Sequence, residues 1–169
     1  MSKQVPPAFD AVFWFQWIMA TSVGWIVGSL IFPQLSTVSA GVGVGAMQWA
    51  VLYHRLPQAW RWPLITAATW MGGSIFLLVA VPADLHLLLS GIILGPVLGI
   101  GQWLILRQHV YWAGWWIIIS TMSWITGLTL LPGILATGAM AGAISGLALG
   151  LLLHSPREQA EDEQIRGTS

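Results

Sequence analysis

The sequence predicts an all-α membrane protein: six transmembrane helices, folded as three parallel helical-hairpin repeats with pseudo-threefold symmetry. Three observations predict it. Six charge-free apolar runs of membrane-crossing length follow one another. The basic residues all fall at the termini or in alternate connections. A tryptophan–glycine pattern recurs three times at the same place in successive hairpins.

The runs are Ala11 to Phe32, Gln34 to Tyr53, Trp62 to Ala83, Leu87 to Leu106, Val110 to Leu131 and Gly133 to Leu153. Each has the roughly 20 residues that a helix needs to cross the hydrocarbon core. Helix is the expected form, because lipid offers no partner for an open backbone group. Pro33, Pro82 and Pro132 stand at the ends of the first, third and fifth runs. There a ring that lacks a donor and clashes with the preceding turn stops the helix. Pro96 lies inside the fourth run and predicts a kink. The repeats cover about 11–55, 60–107 and 112–154 within a transmembrane domain of 1–154, and 155–169 reads as a disordered acidic tail.

Composition agrees. Of 169 residues 56% are hydrophobic and 7% charged, whereas a soluble domain carries roughly 25% charged residues. Net charge is zero, so nothing favours nucleic acid. Cysteine is absent, which excludes disulfides, thiolate metal sites and a cysteine nucleophile. Lys3, Arg55, Arg61, Arg107, Arg157 and Arg166 lie at the termini or in the second and fourth connections. Basic residues stay on the cytoplasmic side. Both termini are therefore expected in the cytoplasm, with the protein in a bacterial cell membrane (inner or plasma) or a thylakoid.

The repeat reads W-x7-W-x2-G: Trp17, Trp25 and Gly28; Trp62, Trp70 and Gly73; Trp116, Trp124 and Gly127. In the even spans glycines recur four apart: Gly41 and Gly45; Gly91, Gly95 and Gly99; Gly138, Gly142, Gly146 and Gly150. That spacing bares one helix face and admits a neighbouring helix. The faces serve packing inside the bundle, or else dimerisation or docking on a larger membrane complex. Gln48 and Gln102 each precede a tryptophan, Trp49 and Trp103. An amide in a span clasps a neighbouring helix or contacts a polar ligand. In the sixth span Leu149 and Gly150 stand in place of the Gln-Trp pair, so a threefold polar ring is expected to be incomplete.

The tryptophans divide by depth. Trp14, Trp17, Trp60, Trp62, Trp112, Trp115 and Trp116 sit near the basic end, where indoles form an interfacial belt. Trp25, Trp70 and Trp124 lie roughly 12 Å deeper. They are expected to converge inside, either as core filling or as the lining of a site for a lipophilic ligand such as a lipid or pigment. With Gln48, Gln102, Trp49 and Trp103 they form the candidate ligand site. No catalytic set is seen: Asp10 and Asp84, the acids before the tail, stand at span ends on opposite sides. The histidines, His54, His86, His109 and His154, also stand at span ends without metal-chelating helical spacing. Ser120, Thr121, Ser123 and Thr126 are expected to bond their own helix.

The stretch Gly95-x3-Gly99-x2-Gln102-Trp103-Leu104-x-Leu106-Arg107, with Ala113-Gly114-Trp115-Trp116 after it, resembles a loose group of repeat-containing bacterial membrane proteins associated with cyanobacteria and other phototrophs. The resemblance implies a repeat-built membrane protein and no particular chemistry. Size and tryptophan content are also similar to the tryptophan-rich sensory proteins. Those have five spans and a proline-rich aromatic first loop, and the loop PQLSTVS does not match. The function expected is non-enzymatic binding of a lipophilic ligand or a larger complex, the partners being membrane lipids and a second copy or other membrane subunits. The alternative is a channel or facilitator for a small uncharged solute.

Overall fold

A computed structural model describes residues 10–31 and 36–154. The tail, Lys3 and Pro33 lie outside the described residues. Among the described residues six α-helices follow in order: α1 (Ala11–Ile31), α2 (Ser36–Leu52), α3 (Arg61–Ala80), α4 (His86–Leu106), α5 (Trp115–Trp124) and α6 (Ala136–Leu153). A short 3-10 turn, Ala83–Leu85, precedes α4, and α5 continues as a π-helical segment, Ile125–Leu130. Among the described residues four stretches are long and apolar enough to cross a membrane: Ala11–Ile31, Arg61–Ala80, Ala83–Leu106 and Ala136–Leu153. Two shorter apolar helices, Ser39–Leu52 and Trp115–Leu130, accompany them. This is a multi-pass membrane protein.

Each helix packs on its neighbours in the chain, and α6 returns to pack on α1. The described chain is thus a closed ring of helices. Side chains on both faces are apolar, because the medium outside the ring is itself apolar. What marks the inward face is small and aromatic residues. Val12, Phe15, Leu30, Leu64, Phe76 and Val79 point outward, Val79 being 82% exposed.

The glycines let backbones meet. A methyl group on Gly91 would stand 2.5 Å from Cα of Ile125, and one on Gly95 2.7 Å from Cα of Thr121. These positions bring α4 against α5. In the same way Gly138 and Gly142 bring α6 against α1, at 2.7 Å from Cα of Ser22 and 2.9 Å from Cα of Ile18. Gly146 instead accommodates the side chain of Trp17, and Gly45 meets both the Thr66 side chain and the Pro63 backbone. Gly150 makes ordinary contact with Phe13. The glycine faces are therefore occupied within the chain.

The helix ends depart from the sequence expectation in two places. The fifth run does not start its helix at Val110; residues 110–114 form a turn whose Val110 and Ala113 are buried in one cluster with Trp62 and Trp116. At its other end the ladder widens: the N–H of Leu131 bonds the carbonyl of Thr126 at 2.9 Å. Helix α4 runs unbroken through Pro96.

Candidate functional site

Two groups of indoles fill the centre of the ring. The first lies toward the end that carries the arginines. Trp17, Trp62 and Trp116 are 0%, 0% and 1% exposed. The Trp17 and Trp62 rings meet edge-on at 6.0 Å, and Trp62 and Trp116 at 6.1 Å. This corrects their assignment to the interfacial belt. Depth along the membrane had suggested the belt, but depth does not set radial direction. A residue eight positions on lies about 80° around the helix, and one eleven on about 20°. Trp17, Trp25 and Gly28 therefore share a face with the glycine that packs inside. Trp60, Trp112 and Trp115 are more than half exposed and do lie on the outside.

Each buried indole N–H needs an acceptor. That of Trp62 donates to Oε1 of Gln48 at 3.0 Å, and that of Trp116 to Oε1 of Gln102 at 3.0 Å. An indole only donates, which fixes the amide orientation. The amide nitrogens then donate to hydroxyls, Gln48 to Thr21 at 3.1 Å and Gln102 to Thr66 at 3.0 Å. Gln48 on α2 thus joins α1 and α3, and Gln102 on α4 joins α3 and α5. The third indole, Trp17, donates to Oγ of Ser145 on α6 at 3.0 Å. Ser145 was missed in the sequence because the last glycines of α6 were matched to those of α2 and α4. A residue three positions past a ladder glycine is Gln48 after Gly45, Gln102 after Gly99 and Ser145 after Gly142. The expected gap at Leu149 is therefore a register error, and each of the three indoles has an acceptor.

The second group lies deeper. Trp25 meets Trp70 at 5.9 Å and Trp124 at 6.1 Å, while Trp70 and Trp124 approach to 4.7 Å. Trp70 and Trp124 are buried, and Trp25 is partly so. The indole nitrogen of Trp25 is covered and has no hydrogen-bond acceptor. Trp49 and Trp103 do not join either group; they pack on the outer side of the first as partly buried rings. Of the hydroxyls in α5, Thr121, Ser123 and Thr126 bond carbonyls one turn back, but Ser120 reaches across to the carbonyl of Gly95 on α4.

A cavity of about 400 Å³ adjoins the deeper group, at the end away from the arginines. Trp25, Trp70, Leu94 and Leu128 contribute its apolar walls, and Ser29, Ser90, His86 and Thr137 its polar ones. The π segment supplies Leu128, and Thr137 accepts from the N–H of Gly133 while donating to the carbonyl of Gly127. The buried polar side chains among the described residues are Thr21, Gln48, Thr66, Ser74, Gln102, Ser120, Ser123, Thr137 and Ser145, all uncharged. The described residues contain no group of three His, Cys, Asp or Glu placed to share a metal ion.

At the arginine end Asp10 precedes α1 and accepts from the amide of Phe13 and from Arg55. Those two bonds, the amide first, hold its carboxyl below the usual carboxylate range. A depressed folded pKa gives stability that is present above the unfolded value and lost as pH falls through the folded one. Acidification below about pH 4, near the ordinary Asp value, is expected to lower the melting temperature in detergent, and Asp10→Asn to flatten that part of the profile. An unchanged slope in Asp10→Asn would assign the acid loss elsewhere.

No family model and no solved structure matches the chain. A stretch of 116 residues, 67% of the chain, is 35% identical to part of the Na(+)/H(+) antiporter NhaA of Streptomyces avermitilis. The chain matches 22% of that protein's length.

Proposed function

We propose that the protein spans the membrane six times as three parallel hairpins, with both termini cytoplasmic, and binds a lipophilic ligand, a lipid or pigment, in the cavity beside Trp25 and Trp70. The cavity carries this reading: its walls are aromatic and aliphatic, with a few hydroxyls and an imidazole to orient a polar group, the usual make-up of a small-molecule site. The glycine faces are taken up between helices of the same chain, which weakens the reading of them as docking surfaces. Repetition of the Trp–Gln–Thr connection, Trp62 with Gln48 and Thr21, then Trp116 with Gln102 and Thr66, supports the hairpin repeat. Basic residues in alternate connections support the orientation.

The likeness to an antiporter favours a second reading, a carrier. Ion-coupled carriers ordinarily hold ionisable groups within the membrane, and the buried polar residues described here are uncharged. Indoles filling the centre weigh against a channel. The test is purification in mild detergent with lipid extraction, absorption spectroscopy and a sodium-dependent pH-gradient assay in proteoliposomes. One compound retained near stoichiometry, and depleted in a Leu128→Trp variant that fills the cavity, is the expected result. Lipid identical to the bulk membrane in both proteins overturns the binding reading; sodium-driven collapse of the gradient would establish the carrier.

A further inference from the structure

We propose that the groove between α1 and α2 at the arginine end seats an anionic phospholipid, with its phosphate at Arg55 and an acyl chain along Phe15 and Met19. The groove encloses about 580 Å³ and is lined by Phe15, Gln16, Met19, Val51, His54 and Arg55. Phe15 and Met19, one turn apart, are 60% and 45% exposed, so the apolar part faces the surrounding lipid. From Asp10, which lies beside Arg55, to Met19 the helix descends roughly 13 Å, a depth that suits an acyl chain entering from the interface.

The guanidinium is positioned in advance. Its Nη1 donates to Asp10 at 3.0 Å, and its carbon stands 4.6 Å from the Phe13 ring centroid. The Arg55 side chain remains 38% exposed. Arginine has five donors in a fork that fits phosphate, so the bond to Asp10 leaves capacity for an anion. Charge at this end also favours one. Among the described residues the second and fourth connections carry Arg55, Arg61 and Arg107, and the facing acid is Asp10. Basic pockets between spans on the cytoplasmic side, where the proposed orientation puts this end, are places where acidic headgroups collect. Arg61 borders a space of only about 130 Å³, too small for a lipid chain. Arg55 combines the charge with an apolar groove.

The experiment follows thermal unfolding of the full chain in a neutral detergent while phosphatidylglycerol, phosphatidylcholine or inorganic phosphate is added. Phosphatidylglycerol is expected to stabilise at about five-fold lower concentration than phosphatidylcholine, the factor one interfacial arginine contributes, and phosphate alone to do nothing. Arg55→Gln should abolish the preference, while Arg55→Lys and Arg107→Gln should keep it. Asp10→Asn is the sharpest arm: it removes the competing carboxylate charge while the Phe13 ring still holds the guanidinium, so the preference should persist. Loss of the preference in Asp10→Asn as well as Arg55→Gln would mean that the pair is a structural clasp. Loss in Arg107→Gln would reduce the effect to net charge, an equal response to both lipids would remove the site, and a response to phosphate alone would make it a free-anion site; each overturns the proposal.

Discussion

Gln102→Leu is expected to lower the stability of the bundle by about 2–4 kcal/mol, read as a fall in the detergent melting temperature. Leucine has nearly the right volume, so the loss is electrostatic rather than steric. The indole N–H of Trp116, in a ring 1% exposed, loses the acceptor at 3.0 Å. Leaving a buried donor unpaired costs about 1–3 kcal/mol, and the bond to Thr66 goes too. Pairing the change with Trp116→Phe, which removes the orphaned donor, should recover about 1 kcal/mol relative to the sum of the single changes. A Gln102→Leu protein that melts like the wild type would mean that water or a rearranged neighbour serves the indole. The Ser145→Ala change is expected to cost less. It strands Trp17 in the same way, but it leaves the amide bonds of Gln48 and Gln102 intact.

The second large effect concerns one methyl group. Gly91→Ala places a carbon 2.5 Å from Cα of Ile125 and 2.7 Å from the carbonyl oxygen of Trp124. Both are backbone atoms and cannot swing aside, so α4 and α5 must separate. Overpacking of this kind costs about 1–3 kcal/mol or more, and here it also loosens the π segment and the cavity wall it supplies. Gly72→Ala is the matched control on α3, since a methyl there meets nothing within 4 Å. That change should be neutral or stabilise by up to about 1 kcal/mol through helix propensity. Equal melting temperatures for the two variants would show that the close contact near Gly91 relaxes freely.

Much of this architecture was written in residue order, and part was not. Charge-free runs and prolines marked the helices because the bilayer imposes a length and forbids open backbone. Glycine spacing marked the helix contacts because only a missing side chain allows backbones so close. Inward direction was harder. In a protein whose surroundings are as apolar as its core, hydrophobicity carries no sign, and Trp17, Trp62 and Trp116 looked like interfacial rings. The angular sum along W-x7-W-x2-G held the answer. Ser145 was obscured because a long ladder of glycines can be aligned in more than one register. The widened turn at Ile125–Leu130 has no residue signature, and it answers to contacts with Gly91 and Thr137 that only the folded chain brings together. The cavities depend on such placement and could not have been foreseen.

Closure of α6 on α1 has a consequence for how the protein is made. The indole of Trp14 donates to the carbonyl of Ala143 and that of Trp17 to Ser145, partners 129 and 128 residues away. At a synthesis rate of about 5–20 residues per second, the first helix sits in the bilayer for roughly ten seconds before its acceptors emerge. Until then two donors and a surface shaped for glycines face lipid. A nascent chain halted before Ala136 is left with an open seam, and the piece that fits it is the last helix of another copy. Exchange of α6 between chains is the misassembly this topology invites, and slow translation across the fifth and sixth helices should increase it.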